Sequence, residues 1–349
     1  DLGLGTGSGG EAAGDRLVRI EGTVGSTQRD RPTGSEGSDA MYGAHGADTI
    51  HGLGGDDFIH AGSGPVFPTT HLLSREMSTF DGGDGNDTIW GDTQVISTSE
   101  PGYLQPATIL GGDGDDEIYY GLVVDAGAGD DYVYGGAIDS TIDGGPGHDE
   151  IEATYGNHTV RGGEGQDYVW TEALHGGINT VDLGTDDDVG AVWSYDPLYA
   201  HRFDGGSGVD GFVLATDNLS YTTRIDLDLL HQLDGSWINL GTIGITHFER
   251  LSLLLGGDHD DVIRLGHSTD FVRASDGDGG GDFLDGGYGI DTLLGGAGND
   301  ILVAGSSPAG NPERARGGDG DDVLYGNFSV ADFGGVAMLY GDAGRDVFA

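Results

Sequence analysis

Along most of this chain an aspartate stands at the sixth place of a nine-residue unit, behind glycines. In "GSEGSDAMY GAHGADTIH GLGGDDFIH", residues 34 to 60, the unit comes three times in tandem, with Asp39, Asp48 and Asp57 at the sixth place and Met41, Ile50 and Ile59 at the eighth. A carboxylate on a short side chain, held tight against a turn, presents oxygen to a hard cation. Asp outnumbers Glu 48 to 12, as a chain of tight turn ligands requires. Carboxylate and carbonyl oxygens in six- to eightfold sets suit Ca²⁺, whereas Mg²⁺ demands a stricter octahedron and keeps its water. One turn offers only half a shell, so a neighbouring turn must complete it.

The unit recurs as G-G-x-G-x-D-x-U-x, with U apolar, and places further candidate ligands at Asp87, Asp116, Asp131, Asp149, Asp167, Asp210, Asp261, Asp282, Asp291, Asp300, Asp322 and Asp346. A degenerate copy, "DLGTDDDVG" from Asp182, places one at Asp187. The second and fourth places are glycines that allow positive φ and let carbonyls point at a cation without Cβ clashes. They are Gly83 and Gly85, Gly112 and Gly114, Gly145 and Gly147, Gly163 and Gly165, Gly287 and Gly289, Gly296 and Gly298, and Gly318 and Gly320.

Positioning such turns requires elements that repeat with them. From residue 126 the copies start at 126, 144, 162, 182 and 205. A nonamer is half a coil, so this spacing sets one glycine–aspartate turn per coil, always on one side. The tandems at 34 to 60 and 277 to 303 carry the signature on both sides. Eighth-place residues (Ile89, Ile118, Val133, Ile151, Val169, Phe212, Ile263, Leu284) should stack into a narrow core. Residues 61–80 and 91–107 hold prolines, which cannot donate to a ladder, and read as loops thrown out of a coil. Residues 214–255 need at least one unmarked coil, drawn from "TRIDLDLL" with its period-two alternation. Residues 1–33 match poorly and read as an N-terminal cap or a degenerate first coil, ahead of a continuous solenoid over 34–349.

These repeats resemble the RTX (repeats-in-toxin, haemolysin-type) calcium-binding nonapeptide, a sequence signature of β-helix architectures. The segment "ITHFERLSLLLGGDHDDVI" resembles the connecting coils of such proteins. The resemblance implies an all-β fold, a right-handed parallel β-roll or β-helix solenoid with several Ca²⁺ ions between stacked turns. It also implies type I export and folding outside the cell, where calcium is plentiful.

Composition narrows the function. The chain of 349 residues has a net charge of −46, and all 14 of its basic residues are arginine. Such a surface rejects nucleic acid and anionic membrane and attracts cations. There is no Cys, hence no disulfide framework or thiolate site, and no apolar stretch long enough for membrane insertion. No Gly-x-Ser-x-Gly elbow or His-Glu-x-x-His sequence occurs, so no enzyme is expected. Three readings remain: a secreted structural or adhesive protein of a surface layer, matrix or filament; the export and folding module of a larger toxin or hydrolase; and a glycan-binding module. The last would use a stripe of outward ninth-place rings, Trp90, Tyr119, Tyr134 and Trp170. The chain stops on a complete repeat, "GDAGRDVFA", with Phe348 in the core place, which raises truncation or end-to-end self-association as explanations.

Overall fold

The computed structural model describes residues 22–26, 28–44, 46–62, 77–91, 107–136, 139–154, 156–172, 177–193, 201–215, 226–228, 238–240, 243–248, 250–254, 262–264, 271–273, 281–287, 290–305, 312–326 and 337–349. Every regular element among them is a β-strand. Among the described residues no helix is long and apolar enough to cross a membrane. The chain divides into two compact units, Asp1–Val169 and Trp170–Ala349.

In the first unit, glycine turns chop the chain into strands of three to seven residues, and equivalent strands of successive repeats pair in parallel. One sheet takes the strands that follow the turns and stacks Met41, Ile59, Ile89, Ile118, Val133 and Ile151 in register. The other takes the strands that precede them and stacks Ile50, Phe80, Ile109, Val124, Ile142 and Val160. All of these are buried. Because side chains alternate across a strand, a fixed register brings like residues over like in every coil. The result is a parallel β-solenoid whose core is two facing apolar columns, one more than the eighth-place column read from sequence.

The second unit begins the same way. Thr180–Thr185 and Arg202–Asp204 lead through turns into Val189–Trp193 and Gly211–Ala215. At the strand Val189–Trp193 the eighth place is Gly190. A Cβ there would lie 2.9 Å from Phe203 Cδ1, so the ring of Phe203 fills the room the glycine leaves. Over residues 238–254 the pattern changes. Ile238–Leu240 pairs antiparallel with Ile243–Thr246, and a short link through His247 replaces the six-residue turn. Beyond it, turns 295–300, 317–322 and 341–346 leave the strands Thr292–Ala297, Glu313–Asp319 and Ala337–Ala343 for a third sheet, which holds Ile301–Val303, Val323–Tyr325 and Val347–Phe348. The sheet that received the turns thus comes to emit them, and the aspartate column moves to its other edge. The third sheet also contains Asp226–Asp228, from the "TRIDLDLL" stretch.

Some boundaries differ from the sequence reading. Residues 78–80 and 107 are strand rather than loop, since Phe80 and Ala107 are buried. Within 1–33, Gly22–Val24 pairs with Ala40–Tyr42, and Gly25–Asp30 follows it as a turn. Phe348 is 55% exposed rather than in the core, at the end of the third sheet.

Candidate metal centre

The sixth-place aspartates point inward at the turns. In the first unit Asp39, Asp48, Asp57, Asp87, Asp116, Asp131, Asp149 and Asp167 are all buried, and in the second Asp210, Asp282, Asp291, Asp300 and Asp322 are too. Asp346 is half-buried, and Asp261 lies outside the described residues. One rule governs the column: the backbone N–H of an aspartate donates to Oδ1 of its equivalent in the next coil. Asp39 donates to Asp57 (2.8 Å), Asp57 to Asp87 (2.7 Å), Asp87 to Asp116 (2.7 Å), Asp116 to Asp131 (2.8 Å), Asp131 to Asp149 and Asp149 to Asp167 (3.0 Å each). In the second unit Asp282 donates to Asp300 and Asp300 to Asp322 (2.9 Å each), and Asp322 to Asp346 (3.2 Å).

The second carboxylate oxygen behaves differently. Oδ2 of Asp48, Asp57, Asp87, Asp116, Asp131, Asp149, Asp300 and Asp322 is buried and accepts no hydrogen bond. Burial without a partner is costly for a carboxylate. Desolvation accordingly pushes Asp48, Asp87 and Asp149 up to about 6, Asp57, Asp131 and Asp300 to about 7, and Asp116 to about 8. The crowding beside each first-place glycine shows what surrounds this oxygen. A Cβ on Gly82 would collide with Asp87 Oδ2 and the Gly111 carbonyl oxygen; one on Gly111 would collide with Asp116 Oδ2 and the Ala126 carbonyl. Gly52, Gly144 and Gly295 repeat the arrangement. A carboxylate oxygen and a carbonyl of the next coil converge, and no donor lies between them. Among the described residues no three acidic or imidazole side chains gather, so backbone carbonyls must supply the remaining ligands. A buried, all-oxygen, part-carbonyl set fits a hard cation such as Ca²⁺. The second- and fourth-place glycines singled out from sequence take positive φ wherever they are described, from +70° at Gly287 to +153° at Gly147; Gly289 lies outside the described residues.

The first turn on each edge departs from this. Asp39 Oδ2 accepts from the backbone N–H (2.6 Å) and hydroxyl (2.9 Å) of Ser35, and Asp30 Oδ2 from those of Ser26 (2.5 and 3.0 Å). Serine at the second place closes these turns internally.

Two further rows escaped the sequence reading. Fifth-place side chains form an outer ladder that runs the opposite way: the Asn86 N–H donates to Asp56, Asp115 to Asn86, Asp130 to Asp115, and His148 to Asp130 (2.8–3.1 Å). Asp187 belongs to this ladder. It is exposed and accepts from the Val209 N–H at 2.9 Å, while the buried Asp188 donates to Asp210 at 2.9 Å. The repeat therefore begins at Leu183, with Gly184 at the second place, one residue later than the nonamer "DLGTDDDVG" suggested. The other row is the opposite edge. There Asp30 donates to Asp48 (2.9 Å) and Asp48 to the Ser78 hydroxyl (3.1 Å), and Ser140 and His158 occupy the equivalent buried places in later coils. Asp30 stands 18 residues before Asp48, the spacing that could have revealed it.

A family model for the RTX calcium-binding nonapeptide repeat matches residues 33–65, 78–94, 108–122, 123–142, 143–173, 276–307 and 310–329. The chain carries RTX calcium-binding nonapeptide repeats in several copies. Its repeats bind multiple calcium ions. No curated protein matches the chain. Among solved structures it is similar to a hyperactive, Ca²⁺-dependent, β-helical antifreeze protein from an Antarctic bacterium, at 16% identity and a TM-score of 0.33, over 92% of this chain and 83% of that one.

The ninth-place residues of this RTX solenoid form an outward ring column in the first unit, but a different one from that expected. In register it runs Tyr42, His60, Trp90, Tyr119, Tyr134, Glu152. His60 and Trp90 stack at 6.3 Å, and Trp90 and Tyr119 at 4.2 Å. Glu152 takes the place after Tyr134, and Trp170 belongs to the second unit.

Proposed function

We propose that the protein is a secreted structural or adhesive component whose solenoid closes only when calcium occupies the turns. Asp48, Asp57, Asp87, Asp116, Asp131, Asp149, Asp167, Asp188, Asp210, Asp261, Asp282, Asp291, Asp300, Asp322 and Asp346 supply the carboxylates, Asp39 being closed by Ser35 instead, and the neighbouring coil's backbone carbonyls supply the other half of each shell. The observation that carries this reading is the convergence of buried Oδ2 with a next-coil carbonyl in the absence of any donor. Each ion then bridges two coils, so binding energy becomes folding energy. A chain at −46 cannot otherwise compact around two thin columns of aliphatic side chains without strong self-repulsion. The carboxylates in this reading serve a scaffold rather than a reaction, since Oδ1 of Asp48, Asp57, Asp87, Asp116, Asp131, Asp149, Asp167 and Asp300 is engaged by a backbone amide.

Calcium titration tests this, followed by far-UV circular dichroism and sedimentation. The expected result is an expanded chain in chelator, a β-rich compact one in calcium, and poor replacement by magnesium. An unchanged spectrum and sedimentation coefficient in chelator would refute the calcium-closed solenoid.

A further inference from the structure

The outer face of the first unit's post-turn sheet carries a second column beside the rings: Ala40, Phe58, Thr88, Glu117, Tyr132, Glu150. Neither column contains an arginine, and Glu117 and Glu150 are exposed. The Tyr119 phenol donates to Glu117 and the Tyr132 phenol to Glu152, both at 3.2 Å. Burial and the adjacent Glu152 carboxylate push the Tyr132 phenol up, so it remains a donor.

One feature exceeds what a self-supporting ladder needs. Tyr120 adopts φ +66° in the left-handed region, which bulky residues rarely enter. Its ring packs edge-on against Tyr134 at 5.1 Å and tilts against Trp90 at 6.0 Å. Gly136, at φ +71°, leaves the space, for a Cβ there would strike the Tyr120 ring. Two residues with positive φ thus widen a single column of rings into a platform bordered by carboxylates.

We propose that this face binds an extended cationic peptide segment, with basic side chains received by Glu117 and Glu150 across the Trp90, Tyr119, Tyr120 and Tyr134 rings. Charge complementarity selects the occupant: an acidic rim with no arginine in either column accepts a cation and repels an anion. The spacing agrees. Glu117 and Glu150 are two strand steps apart, about 9.6 Å, and residues i and i+3 of a segment in the extended polyproline II conformation lie on one side, about 9.3 Å apart. A flat sugar ring is the poorer occupant, because Trp90 and Tyr119 spend their facing surfaces on each other at 4.2 Å. The proposal stands apart from the structural role of the repeats.

The test uses the calcium-loaded protein in about 0.15 M salt, where long-range attraction is screened beyond about 8 Å. The probe is a labelled six-residue peptide with two arginines three residues apart. Glu117→Gln with Glu150→Gln should weaken its binding roughly tenfold or more, the range for close charge pairs. Asp125→Asn with Asp143→Asn removes the same charge from the other sheet and should change binding less than about twofold. Tyr120→Gly, which leaves every charge in place, should weaken peptide binding without lowering the thermal midpoint. Equal losses from the two double variants, undiminished binding to Tyr120→Gly, or no peptide binding by the wild type would each overturn the proposal. So would binding of a neutral glucose oligomer in place of the peptide.

Discussion

Replacing Asp116 by Asn should stabilise the protein without calcium and weaken it with calcium. Asp116 Oδ1 accepts the Asp87 N–H at 2.7 Å, and an Asn amide oxygen can keep that bond. Its Oδ2 is buried without a partner, and desolvation, reinforced by the Asp87 and Asp131 charges, holds the carboxyl at about 8 instead of 3.8. Near pH 7.5 the calcium-free fold must therefore take up a proton that the unfolded chain has released. At about 1.4 kcal/mol per tenfold, that is worth on the order of 5 kcal/mol against folding. Relaxation of the neighbouring carboxylates absorbs part of it, so a gain of about 2 kcal/mol is the realistic expectation. In calcium the same substitution removes the charged oxygen that converges with the Ala126 carbonyl of the next coil. The calcium midpoint should rise roughly tenfold, about 1.4 kcal/mol. The assay is thermal unfolding by circular dichroism in calcium and, with an osmolyte to bring the apo chain into its transition, in chelator. Destabilisation under both conditions, or an unmoved calcium midpoint, would refute the reasoning.

The same buried carboxylates set a pH dependence of opposite sign in the two states. With folded values raised to about 6 to 8 from 3.8, the stability they contribute in chelator is fully present below about pH 4 and lost as pH rises through 6 to 8, so acid should partly replace calcium. Calcium binding must expel those protons, so the calcium midpoint should climb as pH falls from 8 to 6, measured by titration at each pH. At the N-terminal turns, Ser35→Ala deletes a 2.9 Å bond to Asp39 Oδ2 and should cost about 1 kcal/mol, read as faster amide exchange over residues 34–42 in the calcium-loaded protein. Unaltered exchange there would show that the serine hydroxyl does not close the turn.

Much of this was legible in the residues because the pattern is local and repeats. Glycine at the first, second and fourth places with Asp at the sixth dictates a turn, and an apolar eighth residue dictates an inward strand. An 18-residue spacing superposes one turn on the next. That was enough for the parallel solenoid, for the buried aspartate column and for calcium as its partner. The frame around Asp186, Asp187 and Asp188 was not legible, since three adjacent carboxylates satisfy the nonamer almost equally. Only the pairing of Asp182 with Asp204 places Asp188 inside and Asp187 on the outer ladder. The Gly25–Asp30 turn was hidden for a related reason. It lacks the inner glycines because Ser26 closes the carboxylate that a cation meets elsewhere.

What the tertiary structure alone decided are the relations between coils that no nonamer encodes. Ser78, Ser140 and His158 take the places opposite the aspartate column: Ser78 accepts the Asp48 N–H, while the Ser140 hydroxyl donates to the Gly121 carbonyl and His158 Nε2 meets the Thr154 carbonyl, because buried polar groups need partners that the repeat does not name there. Glu152 interrupts the ring column after Tyr134, because outward residues meet through strand register rather than through sequence distance. The aspartate turns change edge within the second unit. The short link at His247 drops a turn without dropping the strand that follows it, and that geometry becomes visible only when strands are counted in space.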